Sequence, residues 1–332
     1  MSSQTPVLPI LVTGAAGFIG AHVAVRLRAL GHDVVGCDNF NSYYDPALKR
    51  ARVRHLLGPA GVACEKVDVA DDDALRSLFE RHRPRLVLHL AAQAGVRHSI
   101  SHPQDYVAAN LVGCGNLLEA CRHGGVQHLV FASSSSVYGA RTDAPFRESD
   151  PTDAPISFYA ATKKANEAMA HAYAHVHALR STGLRFFTVY GPWGRPDMAY
   201  FSFAEKLARG EPLPVFAGGE LLRDFTYVDD IVEGVVRIAL AAAPAGAAAS
   251  EIFNIGNHSP VRVLDFIDTL AGLMGVQPRL DFQPMQPGDV PVTCADVTRL
   301  RQRVGFEPST PLAQGLARFV AWFRDWRAGR YS

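Results

Sequence analysis

Tyr159 and Lys163 stand four residues apart in a stretch with helical periodicity, Ser157–Ala178. At that spacing the two side chains share one helix face. The pair suits proton transfer. A free phenol titrates near ~10 and is a poor base at neutral pH, and a nearby cation favours the phenolate. Bringing the phenol to neutrality takes roughly 4 kcal/mol, within reach of two close positive charges. A serine run, Ser133–Ser136, follows the preceding strand-like segment. A hydroxyl there can hydrogen-bond the reacting hydroxyl and orient it.

A second chemical element lies about 140 residues upstream, in Thr13-Gly14-Ala15-Ala16-Gly17-Phe18-Ile19-Gly20. Gly14, Gly17 and Gly20 follow a strand-like run and open a helix-like one. The first glycine permits the tight turn, the second lets backbone approach a diphosphate, and the third allows close helix–strand contact. The helix N-terminus then offers N–H groups and a positive dipole end to phosphates. The next strand ends at Asp38, whose carboxylate can accept both ribose hydroxyls of an adenosine and would repel a 2′-phosphate. No Arg or Lys lies between Arg28 and Lys49 to reverse that preference, so the cofactor is expected to be NAD. Its oxidised nicotinamide would be the second positive charge beside Tyr159. Glycine loops and Tyr-x-x-x-Lys pairs each arise by chance. Their order on one chain points to a short-chain dehydrogenase/reductase type of enzyme.

These residues must be positioned by a sheet. Val7–Val12, Asp33–Cys37, Val62–Val67, Arg85–Leu90, His128–Ala132 and Gly183–Thr188 read as strands. Phe18–Leu30, Asp71–His82, Pro103–His123 and Ser157–Ala178 read as helices between them, and acidic residues open the second. Buried apolar strands alternating with helices predict a doubly wound parallel sheet of Rossmann type, an α/β fold. Asp68 and Val69 end the third strand, and Leu90, Ala91, Ala92 and Gln93 end the fourth, where such sheets bind ligands. After about Tyr190, Pro and Gly become frequent and elements shorten. The expected organisation is an NAD-binding domain over 1–187, completed by about 228–256, and a smaller mixed α/β domain over 188–332. Arg223–Tyr227 and Glu251–Ile255 read as strands, Val228–Ala241 and Leu312–Trp326 as helices. The Ala/Pro/Gly stretch over 239–250 carries no chemistry.

Bulk properties exclude several classes. The chain has 332 residues, is 48% hydrophobic and 20% charged, and carries a net charge of +1. That suits a soluble globular protein with no general pull toward nucleic acid or membrane. No apolar run reaches spanning length, and Met1–Pro6 does not open a signal peptide. Cysteines 37, 64, 114, 121 and 294 show no paired spacing and fit reduced thiols in the cytoplasm. Only five lysines occur, against 28 arginines. His171, His175 and His177 lack a carboxylate or cysteine to complete a metal set, so no metal is expected. His98 and His102 flank a loop near the site.

Longer segments add a resemblance. Asp38–Pro46, Ala91–Arg97, Ser133–Gly139, Tyr159–Asn166, Gly183–Ala199, Arg223–Asp230 and Gln286–Val290 together resemble UDP-glucuronate 4-epimerases, nucleotide-sugar epimerases of the extended short-chain dehydrogenase/reductase class. The likeness runs from about residue 8 to 326. It implies a catalytic set of Ser134, Tyr159 and Lys163. It implies an NAD site that adds Asn39, Asn110 and Tyr190 to the loop and strand-end residues above. Arg97, Ser135, Ser136, Thr188 and Arg195 would face the sugar and its carboxylate, and Arg223 and Asp289 would hold the UDP. Gln286 stands where the wider family often has an arginine. A homodimer pairing the helices at 103–123 and 157–178 is also implied.

The activity implied is reversible C4 epimerisation of UDP-glucuronate to UDP-galacturonate through a 4-keto sugar on tightly bound NAD. Rivals on the same scaffold are UDP-glucose 4-epimerase, a decarboxylase and a 4,6-dehydratase. A non-catalytic NAD-sensing regulator is a rival of another class, against which the Ser134, Tyr159 and Lys163 set argues. Related decarboxylases carry a glutamate, and dehydratases Asp-Glu, just before Val-Tyr-Gly. Here Ser135 and Ser136 precede Val137-Tyr138-Gly139.

Overall fold

The computed structural model describes residues 7–243, 249–286 and 289–331. Met1–Pro6 and part of the 239–250 stretch lie outside these residues. The strands are β1 (Pro9–Thr13), β2 (Asp33–Asp38), β3 (Ala63–Lys66), β4 (Leu86–His89), β5 (His128–Ser134), β6 (Ser181–Phe186), β7 (Thr188–Tyr190), β8 (Leu213–Phe216), β9 (Leu222–Arg223), β10 (Phe225–Tyr227), β11 (Ser250–Ile255), β12 (Val261–Arg262) and β13 (Leu280–Gln283). The α-helices are α1 (Phe18–Ala29), α2 (Pro46–Arg52), α3 (Asp72–His82), α4 (His98–Ser101), α5 (Pro103–Tyr106), α6 (Gly113–His123), α7 (Phe158–His177), α8 (Ala199–Arg209), α9 (Val228–Leu240), α10 (Val263–Met274), α11 (Thr298–Val304) and α12 (Leu312–Arg327).

Seven strands form one sheet in the order β11-β6-β5-β4-β1-β2-β3. Every neighbouring pair in it is parallel. This is the Rossmann-type sheet expected from the alternation of apolar runs and helices. Alternate strand residues feed two cores, as a period of two requires. Ile10, Val12, Leu88 and Val130 pack with α1 and the C-terminal elements. Leu11, Val87, Leu129 and Phe131 pack on the other face with Leu75, Leu117 and Ala170. Each such buried aliphatic side chain contributes about 1.5–3 kcal/mol relative to exposure.

The helices start where their caps stand. Asp71 accepts from Ala74 N at 3.0 Å to open α3. Ser157 accepts from Ala160 N at 3.1 Å to open α7. Asp45 accepts from Ala47 N at 2.8 Å, with Pro46 behind it, to open α2. The periodicity of 38–57 did not disclose α2 or the π-helical turn Val53–Leu57 that continues it. The helix expected over 103–123 is instead α5, a π-helical turn at Val107–Val112, and α6. The wider turn lets the Asn110 carbonyl accept from Asn166 Nδ2 at 2.6 Å.

Past β6 the elements are short and mixed. Small parallel pairs β7–β10 and β8–β13 and the antiparallel pair β9–β12 replace a second large sheet. β11 returns from this region to close the edge of the main sheet beside β6.

Candidate active site

A cavity of about 440 Å³ opens at the carboxyl ends of β1, β2, β4 and β5. Its walls include Gly14, Gly17, Phe18, Ile19 and Gly20, then Asp38, Asn39, Asp68 and Val69, and Leu90–Gln93. The opposite side carries Ser134–Ser136, Tyr159, Lys163, Thr188, Arg195, Arg223 and Asp289. The chain thus brings nearly all the residues singled out from sequence to one place, although they are spread over most of its length.

The glycine cradle fits a dinucleotide. Gly14 sits at φ 70°, and a Cβ there would lie 2.7 Å from Ala91 N. A Cβ on Gly20 would lie 2.1 Å from Gly14 O, and one on Gly17 2.8 Å from it. All three collisions are with backbone, so no side chain can be accommodated. No side chain caps α1, which leaves its first N–H groups facing the cradle. Further along the sheet edge, Asp38 Oδ1 accepts from Phe40 N at 2.8 Å and from Lys49 Nζ at 3.0 Å. Both bonds fall on Oδ1, so Oδ2 remains for a ribose hydroxyl. Asn39 donates to Asp68 Oδ2 at 3.0 Å, fixing the neighbouring wall.

Lys49 modifies the charge argument made from sequence. It lies on α2, just past the cation-free stretch, and folds back as a buried partner of Asp38. It also donates to Asn41 Oδ1 at 3.0 Å. Held between those two acceptors, it orients the carboxylate.

At the other end of the cavity Tyr159 is half-buried, its phenol on the wall. Burial pushes its phenol above the ordinary value; the Ser134 hydroxyl and the Arg195 charge pull it down. Ser134 Oγ accepts from Ser136 Oγ at 2.9 Å and from Ser136 N at 3.2 Å, so its own proton is free for the phenol side. Lys163 Nζ donates to Ala132 O at 3.0 Å. Burial lowers its ammonium to about 8. The lysine stands on the tyrosine's side of α7, both line the cavity, and Ser134 and Arg195 add to what draws the phenol down.

Arg195 donates Nε to Asp197 Oδ1 at 3.1 Å and Nη2 to Asp197 Oδ2 at 2.6 Å. Asp197 Oδ2 also accepts from Tyr43 Oη at 3.0 Å. Arg223 and Asp289 form an ion pair with one another on the cavity wall. Thr188 opens β7, its N–H held by Asp224 O at 3.1 Å.

Three expected residues do not line the cavity. Tyr190, at the end of β7, is fully buried among Tyr200, Phe225, Tyr227 and Phe266. Phe186 and Phe187 line the wall instead. Asn110 lies one layer behind: its Oδ1 accepts from Gln93 N at 2.8 Å and its Nδ2 donates to Thr162 Oγ1 at 3.0 Å. It braces Gln93 and α7 rather than facing a ligand. Arg97 is exposed and lies over the Phe216 ring at 5.5 Å. His98 and His102 stack at 4.2 Å, with His98 against Tyr43 at 4.8 Å, outside the cavity lining. Sequence reasoning passed over Lys49, Asn41, Tyr43, Tyr44 and Met198, all on the wall. A run of polar and aromatic residues directly after Asp38 was the available signal. Among the described residues no group of three or more His, Cys, Asp or Glu could hold a metal.

Known proteins share this arrangement. Residues 10–256 match the model of the NAD dependent epimerase/dehydratase family. The chain is 48% identical to UDP-glucuronate 4-epimerase 1 of Arabidopsis thaliana, over 95% of this chain and 76% of that protein. It is 45% identical to Protein CapI of Staphylococcus aureus, over 96% of this chain and 99% of that protein. UDP-glucuronic acid 4-epimerase from Bacillus cereus, solved with UDP-glucuronic acid and NAD, superposes with a TM-score of 0.89 at 33% identity, covering 96% and 99% of the two chains. On the evidence of the glycine cradle, the Ser134–Tyr159 pair and these likenesses, the chain belongs to the NAD dependent epimerase/dehydratase family.

Proposed function

We infer that the protein is an NAD-dependent UDP-glucuronate 4-epimerase, interconverting UDP-glucuronate and UDP-galacturonate. The observation that carries this is the joint placement of Ser134, Tyr159 and Arg195 on the wall of a cavity whose far end is the glycine cradle. The cradle and Asp38 hold NAD, which when bound accepts a hydride and returns it. Tyr159 takes the C4 hydroxyl proton of the sugar and later gives it back. Ser134 orients that hydroxyl. Lys163, fixed by the Ala132 carbonyl, keeps a cation near the reacting end. Thr188 and Arg195 hold the C6 carboxylate, a charge-assisted contact. Arg223 and Asp289 hold the UDP portion, with Ser135 and Ser136 beside the sugar. The 4-keto sugar turns over in the pocket and is reduced on its opposite face, so no net redox occurs.

Domain roles follow the same division: residues 1–187 with about 228–256 bind NAD, and the rest of 188–332 binds the sugar nucleotide. The protein is a homodimer through the helices at 103–123 and 157–178. Val112 and Val176, left 47% and 68% exposed there, support that face. Five free cysteines suit a reducing cytoplasm. Among the described residues no helix is long and apolar enough to cross a membrane.

The test is incubation of the purified protein with a panel of UDP-sugars and no added NAD, followed by product separation. UDP-galacturonate from UDP-glucuronate is expected. Turnover of UDP-glucose at an equal rate, or of none, defeats the reading.

A further inference from the structure

Arg52, at the end of α2, is fully buried. Its guanidinium donates from Nη1 to Ala16 O at 3.0 Å and to Tyr44 Oη at 2.7 Å. Nε donates to Trp193 O at 2.8 Å and Nη2 to Gly194 O at 2.9 Å. All four acceptors are neutral, and among the described residues no Asp or Glu forms an ion pair with it. A buried cation without a protein anion is costly and calls for a compensating charge nearby.

The three places it ties are telling. Ala16 belongs to the glycine cradle. Tyr44 lines the cavity. Trp193 and Gly194 immediately precede Arg195. Trp193 is held at φ 63°, a left-handed backbone that a bulky residue rarely adopts. Its ring is locked against Tyr331 at 4.7 Å and Trp322 at 5.4 Å. Gly194 has no space for a side chain, since a Cβ would lie 1.6 Å from Tyr200 Oη. The loop before Arg195 therefore has one shape, and Arg52 joins it to the cofactor cradle.

We propose that Arg52 is a positioning residue coupling the two ends of the cavity: its charge answers the dinucleotide diphosphate on the cradle, and its fork of donors sets the Trp193 and Gly194 carbonyls so that Arg195 meets the sugar carboxylate. The second half rests on the role given to Arg195 above; the first does not. A guanidinium presents several donors in a rigid plane, whereas an ammonium is a point charge on a flexible stem. Arg52→Lys therefore keeps the charge and loses the fork, and Arg52→Met loses both at similar volume.

Two measurements on the full chain separate the halves: NAD affinity, by calorimetric titration of protein freed of cofactor, and the KM, kcat and UDP-glucuronate over UDP-glucose preference. Arg52→Met is expected to weaken NAD by about tenfold or more. Arg52→Lys is expected to keep NAD affinity within about threefold, yet to raise the UDP-glucuronate KM about tenfold with kcat little changed. A merely structural residue would lower the melting temperature of both variants without this split. Wild-type NAD affinity in folded Arg52→Met overturns the first half. An unchanged KM and preference in Arg52→Lys, while Arg195→Ala abolishes the preference, overturns the second. If Arg195→Ala leaves the preference intact, the Arg195 reading has failed and the second half falls with it; the NAD titration still decides the first. Should Arg52→Met not fold, Arg52→Gln, which keeps a polar donor and loses the charge, is expected to weaken NAD by about tenfold; wild-type NAD affinity there overturns the first half.

Discussion

The two carboxylate oxygens of Asp197 receive Arg195 from Nε and Nη2, so this guanidinium on the cavity wall is fixed along that edge. Asp197 is held below the usual carboxylate value by that arginine. The charge of Arg195 also lowers the Tyr159 phenol. Arg195→Ala should therefore have two effects. The preference for UDP-glucuronate over UDP-glucose narrows, by about the 1.5–3 kcal/mol of a charge-assisted bond. The acid limb of kcat/KM moves to higher pH, because the phenol loses a stabilising cation. Competition assays and a pH–rate profile read both; an unmoved acid limb removes Arg195 from the proton chemistry.

Tyr159→Phe deletes the phenolic oxygen and keeps the ring. Epimerisation should fall by at least ~10²–10⁴-fold. NAD should remain bound, since Gly14, Gly17, Gly20 and Asp38 are untouched. Absorbance of the purified variant and single-turnover assays distinguish loss of chemistry from loss of cofactor. Near-normal turnover would end the case for Tyr159 as the base.

Lys163 gives opposite pH trends for activity and stability. Its ammonium, pushed down to about 8 by burial, is charged below that pH and neutral above it. Activity that needs the cation should fall as pH rises through about 8. In the unfolded chain a lysine keeps its proton to ~10.4, so between these values the unfolded state binds more protons and stability rises with pH. Urea midpoints and kcat/KM measured over the same range should diverge. Parallel trends would mean that another group controls one of them.

Product mass tests the serines before Val137. A 4-keto sugar with a C6 carboxylate is a β-keto acid and loses carbon dioxide readily. Ser135 and Ser136 line the cavity where related decarboxylases and dehydratases carry carboxylates. A serine cannot act as a carboxylate acid or base near neutral pH. Mass spectrometry of a long incubation should show two isomers of equal mass. A dominant product lighter by carbon dioxide or water would replace the epimerase reading.

Behind the serine run lies a buried ion pair. Arg185 donates to Glu167 from Nε and Nη2, each at 2.8 Å, and Ser133 Oγ donates to the same carboxylate at 2.6 Å. Glu167→Ala leaves the guanidinium buried without its anion and should cost about 3–5 kcal/mol of stability. Replacing both partners with apolar residues should recover part of that loss. Denaturant titrations of the single and double variants check it; a single-variant loss below ~1 kcal/mol would show the pair to be incidental.

What the sequence disclosed was local. Gly14, Gly17, Gly20 and Asp38 lie on one strand–helix–strand unit, so their spacing alone implied their geometry. Tyr159 and Lys163 lie one helical turn apart, and the parallel, doubly wound character of the sheet followed from alternation. What it concealed was contact across the chain. Arg52 meets Trp193 only because α2 and the loop after β7 converge, and no periodicity carries that. Lys49 returns to Asp38 through a helix that the local pattern did not announce. Tyr190 is expected at the cofactor from its position in a motif, but it lies in the core, where it packs on Phe225 and Phe266.

The closure of the main sheet by β11 bears on synthesis. Ser181 of β6 pairs with Ser250 of β11, so a chain emerging from the ribosome displays β6 as an open edge until Ile255 is available. Such an edge offers unpaired N–H and C=O groups to any neighbouring chain. Pairing distant in sequence also slows folding. The nascent cofactor half is therefore most vulnerable to misassociation while the intervening region is being translated, and a fragment ending before β11 should be recovered largely as aggregate.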